Sequence, residues 1–257
     1  VNLLLNNALN ESSLKPNDKG LVTNIVYGVL QNSMYLDYVI RHYCVDKKVD
    51  ARMRTLLKCA FYQMYFMDKI PNYALVNETV EIAKSELGLQ ASKFANAVLN
   101  NAIRNPFTLK QSDFKDELSY LCMKYSHPEW LIRMIGKHYG MDKAMSYMKS
   151  NVTPPPLSLR VNTLKTSVEE MLKVPYFKKG NLSPVGLFYT GEEPIGNVKE
   201  FLEGLVTVQD ESGQMVAEIM DPKENCSILD MCAAPGSKTF HMASKIQNKG
   251  KIIAIDL

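Results

Sequence analysis

Residues 226–256 read CSILDMCAAPGSKTFHMASKIQNKGKIIAID, and this stretch decides the fold class of the C-terminal end of the chain. Cys226 to Leu229 is a short apolar run bounded by Asp230, the signature of a buried strand. Met231 to Ser237 supplies small and turn-forming residues, and Lys238 to about Ile246 has helical spacing. Gly250 turns the chain into a second apolar run, Ile252–Ile255, which ends at Asp256. A strand, a tight loop, a helix and a second strand make the first β-α-β unit of a doubly wound, Rossmann-like sheet.

That arrangement carries chemistry. Ligands of open α/β sheets bind outside the carboxyl ends of the strands, so the loop after the first strand must let a ligand approach the backbone. Ala233, Ala234, Pro235, Gly236 and Ser237 are small enough, and Gly236 tolerates a positive φ. Asp256 stands 20 positions after Gly236, where an acid accepts ribose hydroxyls. A phosphate-binding P-loop requires Gly directly before Lys-Thr and another five residues earlier. Here Ser237 separates Gly236 from Lys238, and Met231 stands five before Gly236. The G-x-G-x-x-G pattern of dinucleotide folds is also absent, which weighs against a nicotinamide oxidoreductase. A ribose-bearing cofactor without pyrophosphate remains, and S-adenosyl-L-methionine is the expected one. Lys238 opposes the helix dipole in the first turn, a mild cost that hints at a role.

Upstream, Ser212 is expected to start a helix through Met215, Val216 and Ile219, stopped at Asp221-Pro222. Leu157, Leu159 and Val161 alternate with Ser158, Arg160 and Asn162, the period of a half-buried strand. Ser167-x-x-Glu170 is a capping box, and further strands are expected through Val185–Tyr189 and Leu205–Val208. Pro154-Pro155-Pro156 is a stiff linker. Before it, Ser126-His127-Pro128-Glu129 reads as a capping box opening a helix through Trp130, Met134 and Ile135, with Gly140 as its stop and Asp142 as the next cap. The first part of the chain reads as all helix. Apolar stripes recur through Val22–Leu30, Met53–Met64, Val76–Val80–Ala83–Leu87 and Phe94–Ile103. Pro71-Asn72 precedes the third of these, Gly88 ends it, Ser92 caps the fourth, and Asn105-Pro106 closes the bundle. The resulting division is 1–112 helical, 113–151 helical connector, 152–208 small α/β subdomain and 209–257 the start of the cofactor domain.

The bulk composition narrows the class. Net charge is +3, with 13 basic against 9 acidic residues in 1–112 and 17 against 18 in the rest. The excess positive charge lies on the helical part, where it weakly favours a polyanion. The plainer reading is a solvated helical surface. Five cysteines occur without a Cys-x-x-Cys pair, which argues against zinc and disulfides and for a reducing, cytoplasmic setting. No apolar run approaches the ~20 residues of a membrane span. The start, Val1-Asn2-Leu3-Leu4-Leu5, is too short for a signal peptide, and the absent initiator Met suggests a native start elsewhere. The run Phe61-Tyr62-Gln63-Met64-Tyr65-Phe66-Met67 suits base stacking, but at helical spacing it suits a core better.

The segment Leu229-Asp230-Met231-Cys232-Ala233-Ala234-Pro235-Gly236-Ser237-Lys238-Thr239 resembles the cofactor motif of RNA cytosine-5 methyltransferases. Val208-Gln209-Asp210-Glu211-Ser212 and Leu159-Arg160-Val161-Asn162 are similar to further motifs of that family. Leu57 through Lys84, with Tyr62-Gln63, Lys69-Ile70-Pro71 and Val76-Asn77-Glu78, resembles the NusB fold, continued by Ala95–Asn100. The fusion resembles the bacterial 16S ribosomal RNA methyltransferases of the RsmB, Sun or Fmu type. The resemblance implies an all-α NusB-like region that docks 16S ribosomal RNA, then a small α/β subdomain, then the opening of a Rossmann-like methyltransferase domain. It implies methylation of cytosine carbon 5 by a monomer. Cofactor contacts are then expected at Cys232, Ala233, Ala234, Pro235, Gly236, Ser237, Lys238 and Asp256. The family's two key cysteines sit in Pro-Cys and Thr-Cys motifs. No cysteine here follows Pro or Thr, so they are expected beyond Leu257, and this chain alone is expected to be an inactive, truncated part of the enzyme. Cys232 is read as a small buried residue rather than a nucleophile, and His127 and His241 as structural. Ser237 departs from the family's second glycine and Asn100 from its arginine. The alternative is a non-catalytic RNA- or protein-binding module resembling an antitermination factor.

Overall fold

The computed structural model describes residues 2–45 and 48–256; Val1, Asp46, Lys47 and Leu257 lie outside the described residues. Contacts divide the chain into two compact units, Val1–Thr153 and Pro154–Leu257, with the triple proline at the start of the second. The last two expected segments share that second unit.

The first unit is helical. Its elements are α1 (Asn2–Glu11), α2 (Pro16–Gln31), α3 (Ser33–Tyr43), α4 (Ala51–Phe66), α5 (Asn72–Leu87), α6 (Leu89–Arg104), α7 (Glu117–Lys124), α8 (Glu129–Tyr139) and α9 (Met141–Asn151). Leu36, Val39, Leu57, Phe61, Leu75, Ala83, Ala95 and Leu99 from α3 to α6 form its main core. A smaller core joins α7, α8 and α9 through Leu121, Cys122, Ile132, Ala144 and Met148. The aromatic run of α4 is core: Phe61 and Tyr62 are buried, and Phe61 stacks between Tyr43 and Tyr65.

Several expected details shift by a fraction of a turn. In α5 the buried residues are Leu75, Thr79 and Ala83, with Val76 and Val80 half-buried beside them. In α8, Ile132 faces inward while Trp130 and Met134 are exposed. Ser92 is no cap, because α6 starts earlier and Gly88 (φ 94°) both ends α5 and opens α6; the Ser92 hydroxyl donates to the Leu89 carbonyl. Gly140 (φ 91°) plays the same double part for α8 and α9, so Asp142 lies inside the first turn instead of capping it. Ser126 adopts a positive φ of 56°, and its hydroxyl accepts the Met34 amide, leaving Pro128 to precede α8.

The second unit begins with β1 (Leu157–Val161), α10 (Val168–Met171), β2 (Phe177–Lys179), β3 (Gly186–Tyr189), α11 (Lys199–Leu202) and β4 (Val206–Val208). These strands make an antiparallel sheet in the order β2-β3-β1-β4. The Ser167 hydroxyl accepts the Glu170 amide, capping α10 as expected. One face of the sheet packs Leu159, Val161, Phe177 and Leu187. The expected alternation of β1 fails at Arg160, which is 3% exposed. The reason is α12 (Glu211–Met220), which touches β1: Gln214 Nε2 donates to the Leu159 and Gln209 carbonyls at 3.1 and 2.9 Å.

The α12 helix buries a polar face. Asp210, not Ser212, caps it, accepting the Ser212 amide at 2.8 Å. Glu211, Gln214 and Ala217 point inward, whereas Val216 and Ile219 of the expected stripe are exposed. The Glu211 carboxylate accepts the amides of Asn181, Leu182 and Ser183 at 3.1, 2.9 and 3.0 Å, pinning the turn between β2 and β3. Gly180 and Gly186 leave room for it, since a Cβ on either would strike Glu211 Oε1. Burial pushes the Glu211 carboxyl upward, but the three amides outweigh it and hold it below the usual range. The sign of the linkage follows: the stabilisation is full above the unfolded glutamate value and is lost as pH falls through the lower folded value. Replacing Glu211 with Gln should cost about 1–3 kcal/mol at neutral pH, because buried amides lose an ionised partner. Chemical denaturation between pH 7 and 3 should show the loss of stability flattened in the variant; equal acid sensitivity of both proteins would refute this account.

Candidate functional site

The remaining elements are β5 (Ser227–Asp230), α13 (Ser237–Lys245) and β6 (Lys251–Ala254). β5 and β6 pair in parallel with Ile228 opposite Ile252 and Asp230 opposite Ala254. Ala217, Ile228, Met242 and Ile246 form the core between this pair and the helices. A parallel pair joined by a helix leaves both strand ends at one edge, so the β5 loop and the β6 terminus converge.

Their convergence is hydrogen-bonded. The Ile255 amide donates to the Asp230 carbonyl at 2.8 Å, and the Ala233 amide to the Ile255 carbonyl at 3.1 Å. The Ala234 amide donates to Asp256 Oδ2 at 2.7 Å. Asp230 ties the strand to the helix, accepting the Thr239 hydroxyl at 2.6 Å and the Cys232 amide at 3.3 Å. Gly236 (φ 101°) turns the chain into α13, donating its amide to the Ala233 carbonyl at 2.6 Å and accepting the Phe240 amide at 2.8 Å. The expected pair, Gly236 and Asp256, thus belongs to one small hydrogen-bonded ring. Asp256, Ala234, Pro235 and Lys238 are exposed, and Ala233, Gly236 and Ser237 are half-buried.

Three outcomes refine the reading. Cys232 is exposed, not buried, because its loop residue leaves the strand before the helix covers it. Ser237 is the first residue of α13 and is not among the positive-φ positions, so it carries no strain for replacing glycine. Asn100 turns back on its own helix, donating to the Asn96 carbonyl and side-chain oxygen. Thr239 was in the quoted motif but not singled out; its hydroxyl nine residues after Asp230 is the signal that finds it.

Behind the loop lies a buried polar layer. His241 is 2% exposed, with Nε2 3.0 Å from Glu218 Oε1, while Lys245 Nζ donates to Glu218 Oε2 at 2.7 Å. Burial, helped by the charge of Arg160, drives the His241 imidazole down to about 4. It is neutral at pH 7 and donates a hydrogen bond to Glu218, which fits its structural assignment. Among the described residues, no group of three or more His, Cys, Asp or Glu could hold a metal ion, and no helix is long and apolar enough to cross a membrane.

Three family models match parts of the chain: the NusB family over residues 1–104, the ferredoxin-like domain of RsmF/B-like methyltransferases over 127–174, and the 16S rRNA methyltransferase RsmB/F over 217–257. The chain is thus similar to the NusB family in its first part and to RsmB/F-type methyltransferase regions further on. It is 34% identical over its whole length to the probable ribosomal RNA small subunit methyltransferase B of Bacillus subtilis, covering 58% of that protein. The ribosomal RNA small subunit methyltransferase B of Proteus mirabilis is 30% identical over 96% of the chain, again with 58% of the relative covered. The chain therefore spans less than two thirds of these relatives. Among solved structures, that of PH0851 superposes with a TM-score of 0.71 at 26% identity, over 95% of this chain and 56% of that one. A methyltransferase homolog from Pyrococcus horikoshii matches 56% of this chain and 48% of its own, at 28% identity and a TM-score of 0.50.

The Gly236 geometry is testable by itself. A Cβ there would meet Phe240 Cε2 at 2.8 Å and force an L-residue to φ 101°. Gly236→Ala should cost about 1–2 kcal/mol, the price of left-handed backbone for an L-residue. Gly196→Ala, with nothing within 4 Å and an ordinary φ, is the control that should change little. Thermal unfolding that ranks the two alike would contradict the strained bend.

Proposed function

We propose that this chain supplies the RNA-docking region and the opening of the cofactor site of an S-adenosyl-L-methionine-dependent methyltransferase that modifies carbon 5 of a cytosine in 16S ribosomal RNA. The observation that carries the reading is the Ala234–Asp256 hydrogen bond, which sets a small-residue loop beside a strand-end carboxylate. The relatives named for small-subunit ribosomal RNA methylation support it.

The residues fit such a cofactor. At Gly236 the Phe240 ring stands where a Cβ would lie, so the backbone of the bend stays bare, and Cys232 to Ser237 bear only short side chains. The backbone of Cys232, Ala233, Ala234, Pro235 and Gly236 lines the adenosyl side, with Ser237 and Lys238 at the helix start. The Asp256 carboxylate accepts ribose hydroxyls, a charge-assisted pairing. When bound, the cofactor supplies an electrophilic methyl group. Asp230 positions rather than binds, since its two oxygens hold Cys232 and Thr239. The helical region, with its positive excess, docks the RNA in the cytoplasm, and the enzyme works as a monomer. The family resemblance assigns the attacking thiol to Pro-Cys and Thr-Cys motifs that this sequence lacks, so in this reading the chain alone is inactive.

Titration calorimetry on the full-length protein tests the cofactor. S-adenosyl-L-methionine and its demethylated product should bind while NAD does not, and the opposite preference would overturn both fold-level and chemical readings. A second trial concerns Cys232. Cys232→Ala in the full-length protein should still become covalently trapped on RNA containing 5-fluorocytosine; loss of trapping with cofactor binding intact would make Cys232 the nucleophile.

A further inference from the structure

One side chain in the second unit has no electrostatic explanation within the fold. Arg160 on β1 is 3% exposed, yet among the described residues no carboxylate pairs with it. Its Nε donates to Gln209 Oε1 at 2.7 Å, and its Nη1 is enclosed without a hydrogen-bond partner. A buried guanidinium stays charged and is costly without an anion beside it. Glu218, an acid of the same polar layer, is held by His241 and Lys245.

Arg160 also lines a groove of about 440 Å³ between β1, β4 and α13. Asn162, Thr207, Ser244 and Asn248 supply neutral polar groups, Phe240 stands 65% exposed at its wall, and no Asp or Glu lines it. A groove with one enclosed cation, no acid and an aromatic wall has the charge and lining of a nucleotide phosphate site. Gln209 Oε1 accepts from Arg160 Nε, and Gln214 Nε2 in turn holds the Gln209 and Leu159 carbonyls, so the guanidinium is tethered before any ligand arrives.

We propose that this groove binds a phosphodiester group of the RNA strand, with Arg160 as the phosphate ligand and Phe240 contacting the adjoining nucleoside. The site rests on the RNA-methyltransferase reading; it adjoins the loop assigned to the cofactor through Phe240, whose ring stands where a Gly236 Cβ would lie, while Arg160 is not among the residues assigned to the cofactor. Arg160 reads no sequence there; it fixes where the strand lies.

The test uses the full-length protein and a 16S RNA fragment, with affinity measured by fluorescence anisotropy from 50 to about 300 mM salt. Arg160→Met should weaken RNA binding about tenfold at low salt and reduce the slope of log affinity against log salt by about 0.7–1. Binding of S-adenosyl-homocysteine, read by calorimetry, should be unchanged. Asn248→Asp, which places an acid at the groove surface on a residue type that tolerates the left-handed backbone there (φ 55°), should weaken RNA binding without disturbing the buried layer and covers the case in which the first variant fails to fold. Competition by inorganic phosphate separates a bare anion site from a strand site: phosphate should displace RNA only at concentrations far above those at which a short oligonucleotide does. An unchanged affinity and salt slope in both variants would overturn the proposal, as would a carboxylate of the same chain found on Arg160. If the unmodified protein binds neither RNA nor cofactor, the enzymatic reading itself fails, and that result is distinct from the loss of the groove alone.

Discussion

The bond from the Ala234 amide to Asp256 Oδ2 constrains more of the second unit than its size suggests. Parallel strands β5 and β6 share no direct turn; their ladder, the intervening helix and this loop closure together hold their carboxyl ends. With the bond made, the Ala233–Ile255 and Ile255–Asp230 contacts continue the ladder past the last strand residue. Asp230 can then reach Thr239, which sets the start of α13. The helix in turn delivers Met242 and Ile246 to the core and His241 to Glu218. Loop, carboxylate and helix start are one constraint seen from three sides.

Much of this was readable from residue order, and the failures have physical causes. Helical and strand periods located the bundle and the β-α-β unit, since a repeating apolar face leaves a strong signal. Period alone does not say which of two adjacent apolar side chains turns inward, so Leu75 was passed over for Val76 and Ile132 for Trp130. The strand Phe177–Lys179 is too short to show any period. Ser126 looked like a cap because its hydroxyl is free locally, but the Met34 amide claims it from 92 residues away. The loop glycine and the distal acid were legible because their chemistry demands a fixed order; the partnership between them needed the strands to be paired first.

The polar layer was invisible for a different reason. A hydropathy reading assigns Arg160, Gln209, Glu211, Gln214 and His241 to the surface, yet all are buried. Each is fixed by a backbone or side-chain partner rather than by apolar packing: Glu211 by three amides, Gln214 by two carbonyls, Arg160 by Gln209. The Val208–Ser212 segment that resembled a family motif therefore consists of connectors. It caps α12, clamps the β2–β3 turn and holds a guanidinium in place, so its residues are constrained by geometry before any ligand is considered.

The first unit turns corners on single residues. Gly88 and Gly140 each close one helix and open the next, with no loop between to absorb a change in length. One residue inserted at either corner would spin the following helix by about 100° on its own axis. In α6 that rotation would move Ala95 to the exposed place of Asn96 and put Asn101 in the buried place of Ala102. A change in chain length is therefore costly at these two corners, which act as fixed phase marks for the helices they open.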